Sequence, residues 1–392
     1  MNPIKVLQVN KLYYPEIGGI EKTLQQISED LNKHSDFNLE VLVCQKKGKK
    51  CVEEINKVKV SRSKSFGVLA SVPIAPFFIF DFCKIAKGKD IIQFHMPFPL
   101  GDLACLFSGY KGYVSAYWHS DVVKQKSWMC FYRPIMKWFL KRADVILVGS
   151  SGIVDGSEYL KPYRSKCRVV PFAVNSQILE GGDRFLRRCG FQESRKEAGT
   201  TNFLFVGRLV YYKGGAVMLE AFEHVLRSMK KQNTGKEILK KNVVLTIIGD
   251  GPLKKELEHQ AKHLKIGENV QFLGSVEDDI LKKNLETADV FVFPSMERSE
   301  AFGLVQLEAM AYGIPVINTK LPSGVPEVSI HGETGITVTP GNVTELAAAM
   351  ELLAVHTEER IRLGIAARKR VEKEFTQKKM TERIKKIYEN CI

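Results

Sequence analysis

A chain of 392 residues with 44% hydrophobic and 26% charged residues has the length for two domains and the balance of an ordinary globular protein. No run of about 20 apolar residues occurs, which argues against a membrane-spanning helix. The eight cysteines form no C-x-x-C pair, which removes metal-ligand spacing and suits reduced thiols in a cytoplasm. The net charge of +14 is uneven: residues 1–200 hold 31 Lys and Arg against 19 Asp and Glu, while residues 201–392 hold 27 against 25. The first half is therefore expected to meet an anionic partner, such as an acidic membrane surface or nucleic acid.

In chain order, Ile4 to Val9 is a short apolar strand, so the N-terminus reads as structure rather than as a signal peptide. Its loop carries Gly18-Gly19 just before a helix marked by Leu24, Ile27 and Leu31. A glycine pair there lets a phosphate or sugar hydroxyl approach backbone N–H groups, though a plain tight turn would use the same residues. Further strands are expected at Leu39–Val43, Val58–Val60, Ile91–His95 and Val114–Trp118, the last leading into His119 and Asp121. Their alternation with helices predicts a parallel sheet. His95 is assigned a structural role.

Two segments of this half are unusually apolar. Phe66 to Ile85 carries a dense series from Val68 and Leu69 to Phe80 and Phe82, broken by Pro73 and Pro76. Gln125 to Arg142 is a candidate helix holding Trp128 and Trp138 with Lys137 and Lys141 between apolar residues. A basic helix with an aromatic face reads as a surface lying on anionic lipid. A core helix with solvated lysines is the alternative. Asp144–Val148 and Arg168–Pro171 are strands that finish the first half, and the polar stretch to Thr200 reads as a connection between domains.

The second half repeats the architecture. Phe203–Val206 is a strand running into Gly207-Arg208-Leu209 and Lys213-Gly214-Gly215, then a helix. Strand, glycine loop and helix with Arg and Lys in the loop suit a diphosphate clamp, the guanidinium forking onto oxygens and the ammonium adding a point charge. Val243–Ile248 with Gly249-Asp250-Gly251-Pro252 forms a second such unit, in which Asp250 reads as a turn residue. Asp289–Ser295 is a buried strand, so Glu300 lies in a loop at its carboxyl end, where open α/β sheets bind ligands. Glu308 follows on a helix that Pro315 ends, and helices near Thr344–Ala354, Glu358–Glu374 and Lys378–Asn390 close the chain.

Taken together, Gly18-Gly19 with Glu21, His119, Gly207-Arg208 with Lys213-Gly214, Gly249–Pro252, Glu300 with Glu308, Gly324–Glu327 and His331–Gly335 resemble glycosyltransferase family 4 over nearly the whole length. The resemblance implies an α/β protein of the GT-B fold, two facing Rossmann-like domains with parallel sheets and a C-terminal helix returning to the first. The expected boundaries are 1–172 for the acceptor domain, 173–200 for a linker, 201–374 for the nucleotide-sugar domain and 375–392 for the returning helix.

It also implies roles. Arg208 and Lys213 would hold the donor diphosphate in place of a metal, consistent with the lack of any Asp-x-Asp triplet. Glu308 would bind the ribose and Glu300 the reacting sugar, near backbone N–H groups of Phe302, Gly303 and Leu304. Gly18 and Gly19 would close on the diphosphate, and His119 would lie at the reacting sugar. Trp128, Trp138, Lys137 and Lys141 are assigned to the acceptor and the membrane.

The expected activity is retaining, metal-independent transfer of a hexose to a lipid-linked saccharide in bacterial surface-polysaccharide synthesis, at the inner face of the cell membrane. GDP-mannose is the first donor and a UDP-sugar the second, with no cofactor. Expected partners are the nucleotide sugar, the lipid-linked acceptor, an anionic membrane surface and other polysaccharide-assembly enzymes, but no nucleic acid. A nucleotide-sugar epimerase of the same fold and an inactive donor-binding subunit are the rivals.

Overall fold

The computed structural model describes residues 3–16, 18–69, 72–121, 126–190, 199–232 and 242–391. The chain divides into two compact units, Met1–Ala173 with Gln377–Ile392, and Val174–Thr376.

The first unit begins with β1 (Ile4–Asn10), α1 (Gly19–Leu31), β2 (Phe37–Val43), β3 (Cys51–Ile55) and β4 (Val58–Arg62). A small hairpin of β5 (Val68–Leu69) and β6 (Val72–Pro73) leads to α2 (Phe78–Ile85), β7 (Ile91–Met96) and α3 (Pro99–Ser108). Then come β8 (Tyr113–Trp118), α4 (Lys126–Arg142), β9 (Val145–Val148), α5 (Ser151–Gly156) and β10 (Cys167–Val169). The main sheet runs β10-β9-β8-β7-β1-β2-β4-β3, parallel except for the β3–β4 pair. Every residue of β7 is buried and Val6, Leu7 and Val9 of β1 are inaccessible, as strands covered on both faces require.

Strand β3, which the reading of Val58–Val60 alone had missed, is a polar edge. Four of its five residues are exposed, so no alternation betrays it. A two-residue turn sets its register, with Asn56 at φ 50° and Lys57 at φ 67°, the left-handed pair a tight hairpin needs.

The second unit holds α6 (Ser176–Cys189), β11 (Thr200–Val206), α7 (Gly215–Gln232), β12 (Asn242–Ile248), α8 (Lys254–His263), β13 (Val270–Gly274) and α9 (Asp278–Thr287). It continues through β14 (Val290–Val292), α10 (Leu304–Ala311), β15 (Val316–Thr319), α11 (Val325–Val328), β16 (Gly335–Val338), α12 (Val343–Val355) and α13 (Thr357–Glu374). Its sheet is wholly parallel in the order β13-β12-β11-β14-β15-β16, the doubly wound order of a dinucleotide-binding fold.

The segment 173–200, expected as a linker, instead contributes α6 to this unit. Composition misleads because the helix docks through few side chains. Ile178 and Phe185 are buried, and a methyl group on Gly181 or Gly182 would collide with the Tyr312 hydroxyl or the Ala311 carbonyl. Arg368 of α13 clamps the joint, donating to Ala311 O and pairing with Asp183.

The last helix, α14 (Gln377–Glu389), packs against α1 of the first unit and buries Met380, Ile384 and Tyr388.

Candidate active site

In a doubly wound sheet, ligands bind beyond the carboxyl ends of strands where the winding reverses. In the second unit that point lies between β11 and β14. The loop after β11 carries Gly207, Arg208 and a 3-10 turn, Tyr211–Lys213. The loop after β14 carries Ser295, Glu297 and Glu300.

The two loops are tied together. Met296 N donates to Tyr212 O at 2.7 Å, and the Tyr211 hydroxyl donates to Glu297 at 3.0 Å. Gly214 makes the approach possible, since at φ 73° a Cβ there would lie 2.0 Å from the Pro294 carbonyl. The Lys213 ammonium forms an ion pair with the Glu300 carboxylate, the two side chains being 13% and 12% exposed. The same ammonium lies 4.9 Å from the centroid of the Phe293 ring, and the Ser295 hydroxyl stands 3.5 Å from Glu300 Oε2. Arg208 is exposed and forms no ion pair among the described residues.

Gly303 caps α10 at φ 75°, a conformation that glycine adopts freely, and a Cβ there would meet the Phe293 ring at 2.7 Å. Phe302 is buried against Phe375, and Leu304 opens the helix. Gln306 holds the turn by donating to Phe302 O at 3.1 Å, while its Oε1 accepts from Asn318 at 3.0 Å. Glu308 is half-buried one turn into the helix.

In the first unit the winding reverses between β1 and β7. Gly18 caps α1 there, with Gly19 its first residue. The Glu21 carboxylate folds back onto Gly18, where a Cβ would stand 2.2 Å from its oxygen. Burial raises the Glu21 pKa and lowers that of Lys11, with which it interacts.

At the end of β8, His119 is 7% exposed and clusters with the rings of Tyr117 at 4.9 Å and Phe172 at 5.1 Å, which are themselves 5.2 Å apart. Its Nε2 is 2.8 Å from His95 Nδ1, and His95 Nε2 is 3.0 Å from Gln8 Oε1. Gln8 Nε2 donates to the Tyr388 hydroxyl at 3.2 Å, which donates to Gln93 Oε1 at 2.8 Å. Burial lowers the His95 pKa to about 3 and holds His119 well below the usual imidazole range, so both rings are neutral at pH 7. The network then assigns the tautomers. Gln8 Oε1 accepts from His95 Nε2–H, so His95 Nδ1 must accept from His119 Nε2–H. His119 Nδ1 is left as a lone-pair acceptor.

Two family models match, one described as Glycosyltransferase Family 4 over residues 17–177 and one as Glycosyl transferases group 1 over residues 190–370. The D-rhamnosyltransferase WbpZ of Pseudomonas aeruginosa is 31% identical over 374 residues, spanning 95% of this chain and 92% of its own. The chain belongs to glycosyltransferase family 4. The O-antigen chain mannosyltransferase C of Escherichia coli is 29% identical to this transferase over 390 residues, 99% of each chain. Among solved structures, Anabaena Alr3699/HepE in complex with UDP superposes with a TM-score of 0.72 at 18% identity, covering 99% of this chain and all of that one. The transferase thus has the expected α/β GT-B architecture of parallel sheets.

Of the expected site residues of this family 4 transferase, the fold joins Lys213 directly to Glu300, sets Phe302 and Gly303 just before α10 and places Leu304 and Glu308 on it. Gly18, Gly19 and His119 lie at carboxyl strand ends of the first unit. On α4, the described side chains favour the core alternative. Its apolar side faces the sheet: Met136, Phe139 and Leu140 are inaccessible, Phe139 packs edge-on to Phe94 at 5.1 Å, and the Tyr132 hydroxyl donates to the buried Asp102 at 2.6 Å. Lys137 and Lys141 are exposed and Trp138 is half-buried, so the core alternative holds for the helix face that is described. The Trp128 side chain lies outside the described residues.

His95, read as structural, touches His119 directly, and Gln8, Gln93 and Tyr388 were missed. A signal was present. Gln8, Gln93 and Ser115 are polar residues inside otherwise apolar strands, and they are register partners across β1, β7 and β8. Among the described residues no cluster of three or more His, Cys, Asp or Glu is arranged to hold a metal.

Proposed function

We propose that this family 4 transferase moves a hexose with retention from a nucleotide sugar, GDP-mannose first, to a lipid-linked saccharide in the synthesis of a bacterial O-antigen or capsule. The observation that carries the donor reading is the Lys213–Glu300 pair at the switch point of the second unit, with the exposed Arg208 on the same loop. A diphosphate there would draw Lys213 from its carboxylate and take Arg208 as a fork, so that charge on the leaving nucleoside diphosphate is met by two cations without a divalent metal. Glu300, released from Lys213, would face the donor sugar, and Glu308 would accept hydrogen bonds from the ribose. Backbone N–H groups at Gly303 and Leu304 would meet sugar and phosphate. His119, neutral and fixed by His95, would accept a hydrogen bond through Nδ1 from a hydroxyl of the reacting sugar.

The name of the O-antigen chain mannosyltransferase supports surface-polysaccharide chemistry and mannose as the transferred hexose. The UDP bound by the Anabaena protein supports a UDP-hexose as the second choice. Transfer to a lipid-linked acceptor would require the enzyme to work as a peripheral protein at the inner membrane face.

A thermal-shift screen of GDP, UDP and ADP and their hexoses tests the donor, followed by an assay of nucleoside diphosphate release. The expected result is stabilisation by GDP and GDP-mannose, weakened at least tenfold in apparent affinity by Arg208→Ala, in line with the loss of a charged bidentate contact. Stabilisation by UDP alone would move the donor to a UDP-hexose. No stabilisation by any nucleotide would defeat the reading, and a changed sugar configuration without release of diphosphate would make the protein an epimerase.

A further inference from the structure

The described apolar side chains of α4 turn to the sheet, and a second apolar surface of the first unit stays exposed. We infer that the β5–β6 hairpin and the outer stripe of α2 dock this transferase on an anionic lipid bilayer. The inference rests on the acceptor reading for its purpose, while its physical basis is separate.

Six of the fifteen large hydrophobic side chains exposed among the described residues fall within Phe66–Phe80: Phe66, Val68, Leu69, Ile74, Phe77 and Phe80. Scattered exposed apolar residues are ordinary, but such a concentration marks an interaction surface. They are neighbours in the fold. Phe66 N donates to Ile74 O at 2.9 Å, Leu69 pairs with Val72, and the Lys64 ammonium lies 4.9 Å from the Phe66 ring and 5.9 Å from that of Phe77. Phe77, Phe80, Lys84 and Lys87 then recur at helical spacing, all exposed. The other side of α2 is already satisfied, with Phe78 against Phe98 at 5.3 Å and Phe82 against Phe94 at 5.6 Å. The helix is apolar on two sides, and the unit's core uses only one.

Charge selects the occupant. Residues 44–89 hold 11 Lys and Arg against 3 Asp and Glu, most of the basic excess of the first half. Asp81 is buried and paired with Lys50, and Glu53 is paired with Arg62. Lys47, Lys49, Lys64, Lys84 and Lys87 form no ion pair among the described residues. A backbone bridge between Gly48 and Ser65 brings the loop carrying Lys47 and Lys49 beside the hairpin. Leu69 at 65% exposure and Phe80 at 74% are the most exposed of these apolar side chains, and Lys84 follows Phe80 by one helical turn. Exposed apolar side chains with unpaired lysines on the same and neighbouring segments suit insertion at the boundary between acyl chains and acidic headgroups.

The test is flotation of the full chain with vesicles of phosphatidylcholine alone or with phosphatidylglycerol. The wild type is compared with Leu69→Ser/Phe80→Ser and with Lys47→Gln/Lys49→Gln/Lys84→Gln/Lys87→Gln. Wild-type protein should float with the anionic vesicles and be released by high salt. The apolar pair should lower partitioning about tenfold or more, and the lysine set should remove the preference for phosphatidylglycerol.

Each substituted side chain is exposed, so unfolding transitions should match wild type, and stabilisation by GDP or UDP should be unchanged. Vesicle binding without nucleotide binding would leave this surface standing and defeat the donor reading alone. Equal flotation of the wild type and the apolar pair would overturn the inference. So would a dimer in sedimentation that the same pair dissolves, since the face would then join two copies of the chain.

Discussion

The neutral His95–His119 pair makes the stability of the first unit depend on pH in a calculable way. In the unfolded chain His95 titrates near 6.5, whereas in the fold burial holds it down to about 3. Between those values the unfolded state binds a proton that the folded state refuses. Stability from this group is therefore whole above pH 6.5 and falls as the pH drops toward 3. Each pH unit below 6.5 costs about 1.4 kcal/mol, so at pH 5 the loss is about 2 kcal/mol from His95 alone. For a unit of this size that lowers the midpoint by about 4–8 °C.

All three tryptophans, 118, 128 and 138, lie in the first unit, so intrinsic fluorescence reports its unfolding selectively. His95→Gln removes the titrating ring. Glu21, raised by burial, acts with the opposite sign, so the comparison of the two proteins carries the result. The wild-type midpoint should fall more steeply than that of the variant between pH 7 and pH 5. Equal slopes would refute the argument, because they would mean that His95 takes its proton without disturbing the fold.

Two further outcomes follow from the same geometry. Glu300→Gln should lower the rate of donor turnover about 100-fold or more while changing nucleotide affinity less, as expected for a group that acts in the transition state. An unchanged rate of nucleoside diphosphate release would remove Glu300 from the chemistry. Tyr388→Phe should destabilise the first unit by about 1–3 kcal/mol, since Gln8 Nε2 loses its acceptor and Gln93 Oε1 a donor in a buried setting. A fluorescence melt indistinguishable from wild type would show that those groups find other partners.

Much of the second unit could be read from the sequence because its physics is local. Val290–Val292 and Phe203–Val206 are continuous apolar runs, as strands covered on both faces must be, and glycine loops follow each strand end. Glu300 and Lys213 could be named separately, but their contact could not, since it depends on the close approach of Gly214 to Pro294 across the sheet.

The first unit was less legible for the same reason. His95 and His119 are 24 residues apart and meet only because β7 and β8 are paired in register. The aromatic stripe of α4 could be read either way, because a helix written to lie on lipid and one written to lie on a sheet carry the same stripe. α6 escaped notice because two glycines and two large side chains are enough to dock it.

The polar chain that fixes His119 includes a residue at position 388, while its other members lie between positions 8 and 119. During synthesis, therefore, the first unit emerges without the hydroxyl that completes its interior. Gln8 and Gln93 must wait while the whole second unit is made, and water can stand in for Tyr388 until α14 arrives. The order of translation thus leaves α14 as the closing piece of the first sheet, made only after the whole second unit.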